Sequence, residues 1–575
     1  MKKLFFAIFS VALLFTACEK GSLPQLEQNP YRKVMEYTPG EYTMEVSGNV
    51  TPDMLYDWIS VTQSGNKATF TVKRNTQDII RRAEFTIAGQ SQKAVISQKA
   101  HKLDAAVTAT VVNQGATQFT IGSSLATAFA DDYASWGVIY GKTSDVNAGT
   151  VVPQSGAPGK TEATIDGLEE GTDYYVWTYV ESTEGDRIVS NMLAIIPPVC
   201  VSAGEDLQAA IDGAKEFQEI RVQGGVSFNS PAAGIQMGGK NVNKSVSGGW
   251  NAEFTEQSRN NLTVLNGVGS SYGFWCAEAD GSPMNGYCNI SYFEITGCAG
   301  NHGTAVHCVG GPITVSNCYV HDNWSEKGAI GTNEGKYATT LTVVNCNVSN
   351  NGGDGGHGPA FGFGEGKSDT EPVVATLVSN LITGNVASKK DGYASTFIAY
   401  NQTKLVLVNN TIVDNKNWAE YGGPYSGQVL RGDIASCFVN NIMVGNYTSP
   451  CTQEMVAPEY ERQEQFLNMG GGAGTLTYNI IEGSIKEGDN ITDEKNIYVP
   501  TTFDVSSILT SDYKPLGQIL GAGTLGTISY NSKKEAMGGP FSVDVKALLE
   551  TYPYDLAGNP RVVDGKVDLG CYQAQ

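Results

Sequence analysis

An eleven-residue pattern recurs six times in the second half of the chain and constrains its fold more than any other feature. Its copies are residues 288–298, 313–323, 341–351, 375–385, 405–415 and 436–446. The third and eighth positions are apolar in every copy, and the eleventh is Asn in all but the first, which has Cys298. Successive eleventh positions lie 25, 28, 34, 30 and 31 residues apart. A repeat of this length without helical periodicity predicts a solenoid of short β-strands, whose coils bury their apolar sides by stacking.

The polar positions of the pattern predict ladders of side chains. Each Asn at the eleventh position should bond through its amide to the equivalent Asn of the next coil, about 4.8 Å away. The sixth position changes from thiols to amides along the chain: Cys318, Cys346, Asn380, Asn410 and Asn441. The pattern resembles the right-handed parallel β-helix of pectate-lyase-like proteins. That resemblance implies a fold and leaves the activity open.

Charge and composition narrow the range of ligands. The 575 residues carry a net charge of −21, so the chain should repel nucleic acid over most of its surface. The same acidity disfavours a polyanionic glycan unless basic groups cluster locally or a divalent cation intervenes. Glycine is abundant, with 67 residues, which is typical of β-rich secreted chains with many turns.

The first eighteen residues predict export and a lipid anchor. Lys2 and Lys3 precede an apolar run over residues 4–15, which is too short to span a membrane. The small residues before Cys18 resemble a bacterial lipobox. The resemblance implies removal of residues 1–17, lipidation of Cys18, a polar tether over 18–28, and attachment to the outer membrane facing the cell surface. The alternative is an ordinary signal peptide followed by a chance cysteine.

Residues 29–100 are expected to form a small β-sandwich, because their short runs alternate apolar and polar residues. The segment resembles a BACON domain, an immunoglobulin-like module of Bacteroidetes surface proteins. The residues that carry this resemblance are Trp58, Asn75, Arg81 and Gln98. Trp58 is interpreted as a core residue, and a sugar-binding platform is the alternative.

Residues 101–198 are expected to form a second sandwich. The segment over residues 168–176 resembles a turn of fibronectin type III domains, in which a tyrosine hydroxyl bonds to an upstream backbone group. Tyr174 fits that role. The predicted fold class of the whole chain is therefore all-β, with two small β-sandwiches followed by a right-handed parallel β-helix over residues 199–575.

Both ends of the predicted β-helix carry capping signals. Ser202 and Glu205 have capping-box spacing, and an amphipathic helix that covers the open end should follow them. Residues 555–572 resemble the end of such β-helix proteins, which implies that they cap the final coils. Ten cysteines remain besides Cys18, and one or two structural disulfides are expected among them.

Loops that follow the eleventh position should lie side by side along one face of the solenoid. Aromatic rings there could stack on sugars, and they could equally pack the loops onto the coils. The candidate glycan-binding residues are Trp324, Phe361, Tyr393, Trp418 and Tyr421. Binding of a polysaccharide or a host glycoprotein glycan by a monomeric surface lipoprotein, without catalysis, is the preferred interpretation, and a purely structural role is a further alternative.

The same loops contain residue types that a polysaccharide lyase or a glycoside hydrolase would need. A lyase requires a base together with Arg or Ca²⁺, and an inverting hydrolase requires two carboxylates about 6.5–9.5 Å apart. The candidate catalytic residues are Lys327, Asp354, His357, Lys389, Asp391 and Arg431, with Asp322 and Glu326 as further carboxylates.

Sequence support for catalysis is limited. The sequence Gly356-His357-Gly358 resembles a motif of polygalacturonase-type hydrolases, but the paired Asp and the Arg-Ile-Lys motif of those enzymes are missing. No dense acidic calcium cluster is visible, so no cofactor is expected unless the protein is a lyase. His302, His307 and His321 are interpreted as surface or hydrogen-bonded histidines and not as metal ligands.

Overall fold

A computed structural model describes the chain from residue 29 to residue 574, except for a set of segments within that range. These segments are 76–78, 101–106, 116, 126–132, 157–158, 170, 183–186, 240–242, 270–271, 333–336, 354–357, 390–394, 400–401, 420–427, 432–434, 449–464, 469–472, 488–489 and 531–540. Cys18 and the predicted leader and tether lie outside the described residues. The domain boundaries at residues 28, 100 and 198 stay a prediction.

The N-terminal strands form a sandwich of two sheets around one core. The four-stranded sheet contains Arg32–Met35, Val50–Pro52, Arg81–Ile87 and Ala94–Gln98, and the three-stranded sheet contains Gly40–Glu45, Ile59–Ser64 and Lys67–Val72. Trp58 is buried in this core beneath the Arg81 guanidinium, 4.8 Å from the centre of its ring. The core interpretation of Trp58 is therefore confirmed.

The other residues of the BACON-like pattern form a buried polar cluster. The Gln98 amide donates to the carbonyl oxygens of Tyr37, Thr38 and Lys73 and accepts from Arg81 Nη2. Asn75, which is fully buried, donates through Nδ2 to the carbonyl oxygens of Ile79 and Lys99. Because buried polar groups need such partners, the pattern is explained by the packing of this sandwich.

The second sandwich also has two sheets. The five-stranded sheet contains Tyr133–Gly141, Thr150–Gln154, Tyr174–Ser182, Arg187–Val189 and Leu193–Ile195, and the three-stranded sheet contains Val107–Gln114, Phe119–Leu125 and Thr161–Ile165. A short 3₁₀ helix spans Val146–Ala148. The Glu169 N–H donates to the Tyr174 hydroxyl at 3.0 Å, which confirms the predicted tyrosine corner.

The β-helix consists of coils with up to four short strands, and equivalent strands of successive coils pair in parallel. The first ladder contains Val199–Val201, Glu219–Gln223, Lys244–Trp250, Cys288–Ser291, Ile313–Ser316, Thr339–Val344, Val373–Val378, Thr403–Val408, Ala435–Val439, Ala473–Thr477 and Asn490–Glu494. The second contains Ser227–Asn229, Thr263–Asn266, Phe293–Thr296, Tyr319–His321, Asn347–Ser349, Leu381–Thr383, Thr411–Val413, Ile442–Met443, Ile480–Glu487 and Ile497–Val499.

Two further ladders complete the coils. The third contains Ala299–His302, Trp324–Lys327, Gly352–Gly353, Val386–Lys389, Lys416–Ala419 and Tyr447–Thr448. The fourth contains Ile235–Gln236, Phe274–Cys276, Val306–Cys308, Ile330–Thr332, Phe361–Phe363, Ser395–Ala399, Gln428–Arg431 and Gln465–Asn468. The residues that directly follow the eleventh position therefore belong to a ladder, whereas the sequence predicted loops there.

The eleven-residue pattern spans the first two ladders and turns two corners. The fifth and tenth positions of all six copies have a positive φ between 52° and 72°, which places a one-residue left-handed turn at each corner. The third and eighth positions are buried inside the solenoid. The predicted all-β fold, with two sandwiches and a parallel β-helix, is confirmed.

Both predicted amide ladders are present. At the eleventh position, Asn323, Asn351, Asn385 and Asn415 each donate through Nδ2 to Oδ1 of the Asn in the next coil, at 2.9–3.0 Å. At the sixth position, Asn380, Asn410 and Asn441 do the same, and the ladder continues through Asn479 to Asn496. The Asp493 carboxylate accepts from Asn496 Nδ2, which supplies a partner where the stack ends.

A short helix closes the N-terminal end of the solenoid. The helix Leu207–Gly213 buries Leu207 and Ile211 in the same core as the coils, as predicted. Its N-cap, however, is Asp206, whose carboxylate accepts from the Ala209 N–H. Ser202 donates its backbone N–H to Glu205 before the helix begins. The predicted capping box was therefore placed one turn too early.

The C-terminal residues 500–530 and 541–574, called the C-terminal clasp below, pack on the outer sides of the later coils. Residues 555–572 were expected to cap the final coils, and that role stays a prediction. The apolar residues of the clasp cover the outward faces of the first two ladders. The clasp contains the helix Val545–Thr551, the paired strands Thr527–Tyr530 and Phe541–Asp544, and the 3₁₀ turns Val505–Ser507 and Gly517–Ile519. A further 3₁₀ turn, Arg259–Asn261, lies in an early coil.

The nine described cysteines are all free thiols, which contradicts the expected disulfides for this part of the chain. Eight of them are buried, and their small apolar side chains fill the interior. Within residues 29–574, as far as these are described, no helix is both long enough and apolar enough to cross a membrane.

Candidate functional site

The corner between the second and third ladders carries two rows of outward-facing residues. The tenth position contributes Asp322, Asn350, Gly384 and Asp414, and the twelfth contributes Trp324, Gly352, Val386, Lys416 and Tyr447. We call these nine residues the corner surface. The twelfth-position residues are register partners in successive coils, so the surface runs parallel to the solenoid axis.

Trp324 marks one end of the corner surface. Its side chain is 49% exposed, which is unusual for a residue as large and apolar as Trp. Its ring lies over Gly352 of the next coil, where an added Cβ would come within 2.8 Å of two ring carbons. The missing side chain at residue 352 therefore allows the indole to lie flat on the solenoid.

The other end of the corner surface is a depression of about 490 Å³. It is lined by Asn350, Gly384, Asp414, Lys416 and Tyr447. The Asp414 carboxylate is held in place by the Tyr513 hydroxyl, which donates to Oδ2 at 2.9 Å. Tyr513 belongs to the C-terminal clasp, so the clasp helps to shape this end of the surface. The depression can offer a carboxylate, an amide, an ammonium group and an aromatic ring to a polar ligand.

His321 lies beside the Trp324 end and is held by two carboxylates. Nδ1 is 2.7 Å from Asp322 Oδ2, Nε2 is 3.0 Å from Glu294 Oε1, and the ring stacks on Tyr319. Both ring nitrogens therefore face a carboxylate oxygen, which fixes the orientation of the ring. The ring also fills the space between the carboxylates, where an inverting hydrolase needs water. This cluster is therefore suited to positioning Asp322 and not to proton transfer.

The described histidines His302 and His307 contact each other through a backbone group. His307 is buried, stacks on Trp275 with the ring centres 4.0 Å apart, and places Nδ1 3.0 Å from the His302 carbonyl oxygen. Among the described residues, no group of three or more His, Cys, Asp or Glu side chains is arranged to hold a metal ion.

Burial of His307 should make the stability of the β-helix depend on pH. Burial lowers the pKa of His307 from 6.5 to about 4, so the folded state binds this proton less well than the unfolded state. The neutral His307 therefore contributes to the free energy of unfolding fully above about pH 6.5. This contribution, about 3 kcal/mol in total, is lost as the pH falls toward 4. Urea unfolding followed by tryptophan fluorescence near pH 7 and near pH 4.5 measures this loss.

The variant His307→Phe keeps an aromatic ring against Trp275 but cannot take up a proton. We expect its loss of stability between the two pH values to be about 2–3 kcal/mol smaller than that of the parent chain. An equal loss in both proteins would show that other groups cause the acid sensitivity.

The candidate residues are only partly brought together. Trp324 and Lys327 belong to one strand of the third ladder, and Lys327 is the register partner of His302. Lys389 and Trp418 lie in later strands of the same ladder, and Arg431 lies in the fourth. The structure describes only the backbone of these last three. Tyr393, Tyr421, Asp354, His357 and Asp391 lie outside the described residues.

Phe361 was assigned to the wrong place. It is fully buried inside the solenoid and stacks on Phe397 of the next coil, with the ring centres 5.0 Å apart. A glycan on the outer surface cannot reach it. The sequence places Phe361 after a glycine-rich stretch, but the chain re-enters the fourth ladder there and turns this side chain inward.

Sequence reasoning missed Asp414, Lys416, Tyr447 and the supporting Tyr513. Asp414 occupies the tenth position, and Lys416 and Tyr447 occupy the twelfth, on the other side of the Asn ladder. Comparing the tenth positions and extending the aligned copies by one residue would have found them. Tyr513 carries no such signal, because it reaches the corner from a segment about a hundred residues away.

Comparisons with known proteins add no assignment of function. No protein-family model and no curated protein matches the chain. The exopolygalacturonase of family 28 from Yersinia enterocolitica is 8% identical, with 71% of this chain and 99% of that chain covered and a TM-score of 0.20. Pectate lyase PelI from Erwinia chrysanthemi in complex with tetragalacturonic acid is 14% identical, with 62% of this chain and 93% of that chain covered and a TM-score of 0.14.

A third solved structure resembles a smaller part of the chain. The chicken CNTN1 FN1-FN3 domains are 13% identical, with 29% of this chain and 67% of that chain covered and a TM-score of 0.16. With TM-scores this low, the class of the protein rests on its own strand pairing. The four ladders and the corner surface define a parallel β-helix protein that carries an aromatic and polar strip along one corner.

Proposed function

We propose that this protein binds polysaccharide through the corner surface and does not cleave it. The observation that supports this function best is the exposed Trp324 indole, held flat over Gly352 and followed along the axis by polar side chains. Sugar rings present C–H faces that stack on aromatic rings, and their hydroxyl groups bond to carboxylates, amides and ammonium groups. Trp324, Asn350, Asp414 and Lys416 supply these groups.

The absence of catalysis is part of the proposal. His321 has both ring nitrogens occupied by carboxylates, and Asp322 is one of those carboxylates. Neither residue is therefore placed to remove a proton from a bound sugar or to activate water. The candidate catalytic residues Asp354, His357 and Asp391 lie outside the described residues.

We propose further that the chain is lipidated at Cys18 and displayed on the outer membrane. The support is the sequence of residues 1–18 alone. In this arrangement the two sandwiches join the anchor to the β-helix, and a polysaccharide or a glycoprotein glycan is the partner. We propose a monomer that needs no cofactor, with Ca²⁺ relevant only to a lyase.

Replacing Trp324 with Ala should weaken glycan binding about tenfold, which corresponds to about 1.4 kcal/mol. The physical reason is the loss of an exposed aromatic stacking surface. Affinity electrophoresis in gels that contain individual polysaccharides measures the retardation of the intact chain. Phe217→Ala is the matched control, because Phe217 is an exposed aromatic residue of an early coil, 59% exposed, away from the corner surface.

The binding proposal fails if no polysaccharide retards the intact chain, or if Trp324→Ala and Phe217→Ala behave alike. Release of reducing ends, or of unsaturated products that absorb near 235 nm, during the same incubations would show that the protein is an enzyme.

A further inference from the structure

We infer that the ligand of the corner surface is an uncharged, extended glycan chain that lies along the solenoid axis. This inference rests on the proposed function and narrows it, because it excludes both polyuronates and single sugars as the main ligand. It follows from the length of the surface, from its charge, and from the small residues along its middle.

The corner surface is much longer than it is wide. Trp324, Gly352, Val386, Lys416 and Tyr447 belong to five successive coils, so the surface extends about 19 Å along the axis. Its two rows are only two residues apart, which is about 7 Å across. A ligand that touches both Trp324 and the depression at Asp414 must therefore be a chain that runs along the axis, because a single sugar reaches only one end.

The charges of the surface disfavour an anionic chain. At the Trp324 end, the Asp322 side chain is 63% exposed, and Glu326, in the same strand as Trp324, is also exposed. At the other end, Asp414 stands beside Lys416. A uronate would bring its carboxylates close to Asp322, Glu326 and Asp414, and Lys416 offsets one of these three charges, in a protein whose net charge is already −21.

The same carboxylates suit a chain that carries hydroxyl groups. Hydrogen bonds to an ionised acceptor are stronger than neutral ones, so Asp322 and Asp414 can each bind a sugar hydroxyl at one end of the ligand. Lys416 can donate to a ring or hydroxyl oxygen. The described groups therefore offer strong acceptors at both ends, which an uncharged polysaccharide can use.

Small residues keep the middle of the surface low. Gly352 has no side chain beneath the Trp324 ring, and a Cβ at Gly384 would come within 2.4 Å of Asn350 Oδ1. The two ends are thus joined by a floor that has no large side chain at these positions. A linear chain can lie across it and keep contact with both ends, whereas a bulky residue there would lift the chain away.

The test uses the mature full-length chain and neutral linear glucans, xylans and mannans. For the neutral polymer that binds, isothermal titration compares oligosaccharides from one to six sugars. It also compares the polymer with its own derivative oxidised to the uronic acid at the primary alcohols, or with polygalacturonate where the polymer has none. We expect affinity to rise at least tenfold between two and four sugars, and to fall at least tenfold for the oxidised or uronate polymer.

Two variants locate these effects. Asp414→Asn should weaken binding of the hexasaccharide severalfold and reduce the discrimination against the anionic polymer, because it removes the charge at one end. Glu371→Gln, at an exposed position away from the corner surface, is the control.

Each outcome has a separate meaning. Binding of uronate polymers in preference to neutral ones overturns the inference about charge, and a monosaccharide that competes as well as a hexasaccharide overturns the inference about an extended chain. Either result leaves the proposed function in place. If neither neutral nor anionic polymers bind, the proposed function fails and the inference fails with it.

Discussion

Replacing Asn385 with Ala should lower the free energy of unfolding of the β-helix by about 4 kcal/mol. Asn385 is fully buried in the middle of its ladder. Its Nδ2 donates to Asn415 Oδ1 and to the Val348 carbonyl oxygen, and its Oδ1 accepts from the backbone and side-chain N–H groups of Asn351. An alanine leaves the Asn351 N–H and the Val348 carbonyl without these partners in an interior that water does not reach.

Urea unfolding of the parent and variant chains, followed by tryptophan fluorescence and circular dichroism, measures the change. Asn301→Ala is the control, since Asn301 is an exposed residue of the third ladder whose backbone N–H donates to the Tyr272 hydroxyl and whose carbonyl oxygen accepts from Ser325 Oγ. The control should change stability by less than about 0.5 kcal/mol. Similar values for the two variants would show that the amide ladder contributes no more than a surface asparagine.

Replacing Arg561 with Met should loosen the last part of the C-terminal clasp, residues 555–573, by lowering the free energy of its local unfolding by about 3 kcal/mol. Arg561 is fully buried, and its guanidinium donates to the carbonyl oxygens of Asp568 and Gly570. Burial lowers its pKa to about 10, while the nearby Asp555 and Asp568 favour the charged form. Methionine fills much of the volume but leaves both carbonyl oxygens and both carboxylates without the cation.

Hydrogen exchange and limited proteolysis are the appropriate measurements, because the change should be local. Amides of residues 555–573 should exchange faster in Arg561→Met, while those of the first ladder before residue 340 stay protected. Lys566→Met removes an exposed cation of the same segment and should change neither pattern. If exchange became faster throughout the β-helix and not first in residues 555–573, the view that Arg561 acts within the clasp would be contradicted.

The interior of the solenoid could be predicted from the sequence because it repeats. Apolar residues at the third and eighth positions and Asn at the sixth and eleventh each have one role in every coil, so six copies reinforce the same inference. The N-terminal helix and the tyrosine corner were also predictable, since each depends on a few neighbouring residues.

The outer surface could not be predicted in the same way. The third ladder is built from strands of two to four residues, which are too short for an alternating pattern to be visible in the sequence. The position of the clasp depends on contacts between residues far apart in the chain, such as Asn409 with Asp568. Phe361 was misassigned for a related reason, because its neighbours give no sign of where the chain turns inward.

The one-residue corners have a consequence for how such a chain can change during evolution. The eleven residues that turn both corners have the same length in all six copies, whereas the connection from the third to the fourth ladder varies between two residues, after Lys327, and sixteen, after Thr448. The connection from the fourth ladder back to the first also varies, with three residues after Ala399 and nine after Phe363. Insertions are therefore accommodated in the two connections that flank the fourth ladder, while the amide ladders stay in place. Evolution can enlarge the segments beside the corner surface one coil at a time without rebuilding the interior.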